Sequence, residues 1–286
     1  MTFQDQVVLI TGASNGIGRC LAIDFAARGA IVVGCGRSLE RLQALASELQ
    51  RTSPLSTAVK CDVTQLDQVH AMVTKALSEF GKIDILINNA GIGMRKPFVE
   101  TPIHAIEELM KINYLGVVYC AHEVLPSMIA RGSGHIVNIS SVAGKIGTLN
   151  FAGYCASKFA LNGLSECLYH ELKPLGIDVS VICPGAVRTD FAKAFADMPP
   201  KSPAAFVMSP EFVSAAVIKT IERKRFELVR PRSLALICWF KRMTPNLFRY
   251  LMHRTFRSHV IAQKKRQMTD QPGNSTNPPR VHHGVD

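Results

Sequence analysis

An α/β fold built on a doubly wound parallel sheet is what this sequence predicts, on three observations. Seven short runs are nearly continuous in Val, Ile and Leu, the pattern of strands buried on both faces. Helix-length stretches separate these runs. The alternation holds from residue 7 to residue 230, as it does where helices cover both faces of one parallel sheet.

In chain order the predicted strands are VVLI (7–10), IVVGC (31–35), STAVKC (56–61), DILINN (84–89), HIVNIS (135–140), DVSVIC (178–183) and FELV (226–229). The predicted helices between them include SLERLQALASELQ (38–50) and QLDQVHAMVTKALSEF (65–80). A chain of this order implies a Rossmann-type domain over residues 1–230, which binds ligands beyond the carboxyl ends of its strands. No internal repeat breaks it. Residues 190–210, DFAKAFADMPPKSPAAFVMSP, form a Pro-punctuated insertion before the last core helix. A C-terminal extension occupies residues 231–268, and the polar, Pro/Gly/Asn-rich residues 269–286 are expected to be a disordered tail.

The chain has 286 residues, of which 47% are hydrophobic, enough for a large core. The N-terminus MTFQDQVVLITG carries Asp5 and only a short apolar run, the pattern of neither a signal nor a transit peptide. No segment reaches the roughly 20 apolar residues of a membrane span. The eight cysteines are scattered with no C-x-x-C, so they read as buried free thiols. A cytoplasmic location is expected, with membrane association through the C-terminus as a variant of it. The nine histidines show no i,i+4 pairing within the helices, and His282 and His283 stand without further ligands, so no metal is expected.

The net charge is +11, and its placement decides what it means. Residues 1–222 carry 19 basic and 19 acidic side chains. Residues 223–266 carry 13 basic side chains against Glu227 alone, a net of +12. Any anionic partner would therefore meet the C-terminal segment, not the body of the protein. After Pro245, Leu247, Phe248, Leu251, Met252 and Phe256 fall near one helical face among Arg249, Arg254 and Arg257. This suits an amphipathic helix on an anionic membrane surface. The same face could instead cover the protein's own core or a partner subunit in a homo-oligomer. Aromatics are not interleaved as a base-stacking platform, so nucleic acid is not an expected partner.

Two local patterns carry chemistry. Directly after the first strand comes TGASNGIG, with Gly12, Gly16 and Gly18 spaced G-x-x-x-G-x-G. Glycines there let a backbone approach a pyrophosphate at a helix N-terminus, although a tight strand-to-helix turn needs them too. In YCASKFALNG, Tyr154 and Lys158 stand four residues apart. On a helix they share one face, and the ammonium would favour the phenolate.

These two patterns, with NNAG (88–91), Asn113 in KINYLG, Ser141 in NISSVAG and PGAVRT (184–189), resemble the short-chain dehydrogenase/reductase family over roughly residues 5–230. Ser141 precedes Tyr154 by thirteen residues, as that family's pattern requires. The resemblance implies an oxidoreductase moving a hydride between a nicotinamide dinucleotide and a carbonyl or secondary alcohol. Tyr154 would be its general acid/base and Lys158 would lower the tyrosine pKa and hold the nicotinamide ribose. Ser141 would position the reacting oxygen, and Asn113 would anchor a proton-relay water. Ser140 is assigned to strand-end support.

The resemblance also implies that Gly12, Ser14, Asn15, Gly16, Ile17 and Gly18 hold the cofactor's pyrophosphate. Asp62 and Val63 would meet the adenine, Asn89, Ala90 and Gly91 would line the cofactor, and Thr189 would bond its carboxamide. At the end of the second strand Gly36 stands where an acid would select NAD, and Arg37 follows. That points to NADP(H), with NAD(H) as the alternative and a simple helix-start role for Arg37 as the plainer reading. Phe191, Phe195, Phe206, Val207 and Met208 in the 190–210 insertion suggest a lid over a hydrophobic lipid-, steroid- or retinoid-like substrate. The rival readings are a non-catalytic dinucleotide sensor and a membrane-surface scaffold.

Overall fold

The computed structural model describes residues 3–191 and 207–269. Seven parallel strands form one sheet in the order β3-β2-β1-β4-β5-β6-β7. They are β1 Val7–Thr11, β2 Ile31–Gly36, β3 Thr57–Lys60, β4 Ile85–Asn88, β5 Gly134–Ile139, β6 Ile177–Pro184 and β7 Glu227–Arg230. All seven predicted strands are present, each shifted by a residue or two at its ends.

The doubly apolar runs have a direct physical cause. In β1, Val8 and Ile10 enter one core while Val7 and Leu9 enter the other. In β4, Ile85 and Ile87 divide from Leu86 in the same way. The first layer contains α1 (Gly16–Ala26) and α7 (Pro210–Glu222), with Phe25, Leu21, Val217 and Ile218 in its core. α2 (Leu39–Leu49) adds Leu45 and Leu49 to that layer. The opposite layer takes Met72 and Val73 from α3 (Leu66–Phe80) and Val124 and Met128 from α5 (Gly116–Arg131). The short α4 (Ile103–Met110) leads into α5 through a π-helical turn over Lys111–Leu115. α6 (Ala152–Leu172) packs along β6.

Strand order reverses between β1 and β4, and such a switch leaves a crevice beyond the carboxyl ends of the two strands. The glycine loop and Asn89–Gly91 both open into that crevice.

The chain forms two compact units, Met1–Cys238 and Trp239–Asp286. Within the first, the start of α8 (Arg232–Met243) packs Leu234, Ala235 and Cys238 against Val181, Cys183 and Val229. The second holds α9 (Pro245–Thr269), in which Leu247, Tyr250 and Leu251 are exposed. The apolar face expected there is divided, because Phe248 is buried and meets Phe240 at 6.3 Å between ring centroids. No helix among the described residues is long and apolar enough to cross a membrane. Residues 192–206 of the expected lid and residues 270–286 of the expected tail lie outside the described residues. On either side of residues 192–206 the chain pairs with itself: Arg188 N donates to Met208 O and Met208 N to Ala186 O, each at 2.9 Å.

Candidate functional site

The glycine loop is shaped by close approach. Gly12 has φ +63, and a side chain there would begin 2.9 Å from Ala90 Cα. One on Gly18 would begin 2.3 Å from Gly12 O and 2.4 Å from Asn89 Nδ2. All three distances are shorter than side-chain carbons ordinarily allow, so these positions admit only glycine without rearrangement. Asn89 completes the fit by donating from Nδ2 to Thr11 O (3.0 Å) and Gly12 O (3.1 Å). Asn15 caps α1, its side chain accepting from Gly16 N at 2.7 Å, and its Nδ2 donates to Asp190 at 2.8 Å. Ile17 is half-buried against the first core. Thr189 Cγ2 lies 3.0 Å from where a Gly16 side chain would begin, so the β6 loop folds onto the glycine loop. Asn15, Gly16, Arg188, Thr189 and Asp190 line a cleft of about 480 Å³.

The other end of the crevice holds the predicted discriminator. Gly36 lies against the loop, the position of its absent side chain 3.1 Å from Ser14 Oγ. Arg37 is exposed and has no carboxylate partner among the described residues. Ser38 caps α2 immediately after it. Asp62 is turned back into its own loop, accepting from Thr64 N (3.0 Å) and Thr64 Oγ1 (2.9 Å). Val63 is buried, packed where α5 begins at Gly116.

The four predicted catalytic residues converge at the ends of β4 and β5. Tyr154 and Lys158 share a face of α6, with the ammonium 6.0 Å from the phenol ring centroid. Lys158 is buried and donates to Ile139 O at 2.9 Å. Ser141, at the end of β5, hydrogen-bonds the Tyr154 hydroxyl. Asn113 is fully buried in the π-helical turn, a feature that often marks functional positions. Its Oδ1 accepts from Ile92 N (2.8 Å), and its Nδ2 donates to Ile92 O (2.9 Å) and Ser157 Oγ (3.0 Å). A side chain on Gly91 would begin 3.1 Å from Asn113 Oδ1 and 3.7 Å from Lys158 Nζ, so the Gly91 backbone passes close to both. Ser140 reaches Lys158 O at 3.4 Å and donates its own N–H to Ile182 O, bracing the strand end.

Three residues given no role from the sequence, Thr11, Ser157 and Phe151, contribute here, joined by Phe191 of the expected lid. Thr11 Oγ1 accepts from both Asn89 N and Ala90 N at 3.0 Å, fixing the β4 turn to β1. A lone hydroxyl in an otherwise apolar strand was the available signal. Ser157 links Asn113 to Tyr154 O, donating to it at 2.9 Å. Phe151 and Phe191 stand 6.3 and 6.1 Å from the Tyr154 ring, giving the phenol an aromatic surround. Among the described residues no group of His, Cys, Asp and Glu is placed to hold a metal ion. His135 is a packing residue, bonded to Ser180 Oγ at 2.8 Å and pushed down to about 4 by burial. Of the cysteines expected to be buried, Cys167 is exposed and Cys20 and Cys238 are half-buried.

Burial governs the acid–base groups. It pushes the Tyr154 phenol up to about 12, and the Ser141 hydrogen bond only partly opposes it. The sign is opposite to the lowering expected from Lys158, whose ammonium lies 6.0 Å from the ring centroid, and burial is the leading cause. Burial also pushes Lys158 down to about 8. An unfolded lysine keeps its proton to near 10.5, so between these values the unfolded chain binds more protons and stability rises with pH. The desolvation penalty is thus fully present below about pH 8. Lys158→Met should therefore stabilise the protein near pH 7 by about 1–2 kcal/mol. That is a penalty of about 3 kcal/mol less the lost bond to Ile139 O. Urea unfolding near pH 7 and pH 10 checks this, and a gain that does not shrink at the higher pH contradicts it.

Known proteins resemble this chain in both sequence and fold. The family model described as short chain dehydrogenase matches residues 6–200. Dehydrogenase/reductase SDR family member 7B of Danio rerio is 41% identical over 195 residues, which is 66% of this chain and 63% of that protein, just under two thirds of its length. Epidermal retinol dehydrogenase 2 of Mus musculus is 33% identical over 246 residues, 84% of this chain and 78% of that protein. A Burkholderia phymatum short chain dehydrogenase/reductase solved with NAD superimposes with TM-score 0.78 at 27% identity, covering 86% of this chain and 96% of that one. A Sphingobium yanoikuyae short-chain dehydrogenase solved with NADPH gives 0.72 at 30% identity, covering 96% and 99%. With a matching family model over most of its sheet and relatives aligned along most of its length, this chain belongs to the short-chain dehydrogenase/reductase family of oxidoreductases.

Proposed function

We propose that the protein is an NADP(H)-dependent oxidoreductase acting on a carbonyl/secondary-alcohol pair of a hydrophobic substrate, with Tyr154 as general acid/base. The observation that carries this reading is the Tyr154 hydroxyl, bonded to Ser141 and backed by the buried Lys158.

The crevice fits a nicotinamide dinucleotide. Gly12 and Gly18 let the loop close against Asn89 and Ala90, and the N-terminus of α1, where a pyrophosphate would approach, faces that loop. Gly16 and Thr189 would lie along it, with Arg37 at the adenosine end. The cofactor, when bound, supplies or accepts the hydride. The chain's own residues handle the proton and the oxygen. Near neutral pH Tyr154 is protonated and Lys158 largely charged, the states in which a phenol donates to a carbonyl oxygen as it becomes an alcohol. Ser141 Oγ holds that oxygen beside the phenol, where negative charge develops. Asn113 fixes Ile92 and Ser157, and through Ser157 the backbone at Tyr154. Phe151 and Phe191 exclude water from the ring and favour an apolar substrate, a reading that the retinol dehydrogenase relative supports.

Purified protein with NADPH or NADH and a panel of hydrophobic ketones, aldehydes and secondary alcohols tests this. Oxidation of NADPH by at least one ketone or aldehyde is expected. Silence across the panel in both directions, with the cofactor bound, would instead favour a dinucleotide sensor.

The C-terminal segment supports a compatible location at a membrane surface. Its net charge is +12 over residues 223–266, and Trp239, Met243, Leu247 and Leu251 are exposed among those cations.

A further inference from the structure

The basicity of the C-terminal segment is not confined to α9. Arg223, Lys224 and Arg225 stand at the turn from α7 into β7, and Arg230 ends β7, all inside the first compact unit. β7 is the last strand in the sheet order, so this turn lies at the sheet's edge. A groove of about 230 Å³ opens there, and its charged lining is Lys219, Arg223, Arg225 and Arg230 without a carboxylate. Lys224 is engaged elsewhere, 3.0 Å from Asp178.

The four cations lack compensation. Lys219, Arg223 and Arg225 have no carboxylate partner among the described residues. The Arg230 guanidinium donates to Val229 O at 3.1 Å and is held below its ordinary value by partial burial and by Arg232 and Arg225. Like charges converging on one concavity repel one another, and an anion seated among them removes that repulsion. Guanidinium forks match phosphate oxygens in particular.

We propose that the groove between α7 and β7 binds the phosphate of an anionic lipid headgroup at a membrane surface. Two observations favour a lipid over a free phosphate or a second copy of the chain. Phe212 and Ala215 line the groove and are exposed, Phe212 by 52%. Apolar side chains beside cations suit the boundary between headgroups and acyl chains, whereas a free anion makes no use of them. A two-fold contact between copies would set these cations against themselves. The inference is independent of the oxidoreductase reading, and its test uses no turnover measurement.

The test is sedimentation of the full-length protein at low salt with vesicles of phosphatidylcholine alone or with about a third phosphatidic acid. Wild type should pellet with the anionic vesicles only. Arg223→Glu with Arg225→Glu, both at exposed positions, should weaken that binding about tenfold or more while leaving the melting temperature and dinucleotide binding unchanged. A second full-length variant, Arg249→Glu with Arg254→Glu, reports on α9. Undiminished binding by the groove variant, or loss in the α9 variant alone, overturns the proposal. So does stabilisation by inorganic phosphate without vesicle binding, which would assign the groove to a free anion. A change of oligomeric state in the groove variant with vesicle binding intact would make the face a contact between copies, and overturns it as well.

Discussion

Tyr154→Phe is expected to lower turnover by about 10²–10⁴-fold, the span that a positioned general acid or base contributes. The substitution keeps the ring between Phe151 and Phe191 and removes only the hydroxyl that meets Ser141. Dinucleotide affinity should therefore stay within about twofold, because the glycine loop and Arg37 are untouched. Folding should not suffer, since the change deletes a buried polar group and leaves Ser141 Oγ its contacts with Ala143 N (3.1 Å) and Pro184 O (3.4 Å). Single-turnover kinetics with cofactor bound, alongside a fluorescence titration of the dinucleotide, separate the two quantities. Turnover near wild type would remove Tyr154 from the proton step. A parallel loss of cofactor affinity would make it a packing residue.

The sheet was readable in the sequence because its physics is strict. A strand covered on both faces must be apolar in both directions, and β1, β4 and β5 have that pattern in their residues. Strand ends were less legible. Thr11 and Gly36 continue their ladders by one residue, Thr11 at the edge of the glycine motif and Gly36 despite its low strand preference. The individual site residues were readable through their order along the chain, but not how each is held. Nothing in KINYLG predicts a π-helical turn, yet that turn seats Asn113 against Ile92 and Ser157. The Tyr154–Lys158 spacing shows a shared helix face but carries no information on burial. Burial is what sets the phenol high and the ammonium low.

Periodicity failed differently at the C-terminus. A helical repeat of apolar residues identifies a face without saying what covers it. Leu234, Ala235 and Cys238 turn out to pack on β6 and β7, so the first compact unit runs to Cys238. Phe248 is withdrawn from a face whose neighbours Leu247 and Leu251 remain exposed. Charge counting located the basic segment, but only the tertiary fold shows that part of it lines a groove at the sheet edge.

Arg37→Asp is expected to invert the cofactor preference, changing the NADPH-to-NADH affinity ratio by about 10²-fold or more. Arg37 follows Gly36 at the carboxyl end of β2 and is exposed, with no carboxylate among the described residues competing for it. Ser38 and the N-terminus of α2 come next, so a ribose 2′-phosphate there would meet a guanidinium and the positive end of a helix together. In wild type that favours the dianionic phosphate. Because the site is exposed, each unit of charge contributes only about 1–2 kcal/mol. Reversal removes the attraction and adds repulsion, about 3 kcal/mol in all, which is a factor of about 10². Asp at this position can also accept from the 2′-hydroxyl of NADH, which moves the ratio further. Raising the salt should compress the wild-type preference, since exposed charges are screened over about 8 Å at physiological ionic strength. Fluorescence titrations of both dinucleotides against both proteins measure the ratio directly. Equal wild-type affinities, or a ratio that Arg37→Asp leaves unchanged, would place the discriminating group elsewhere in the crevice.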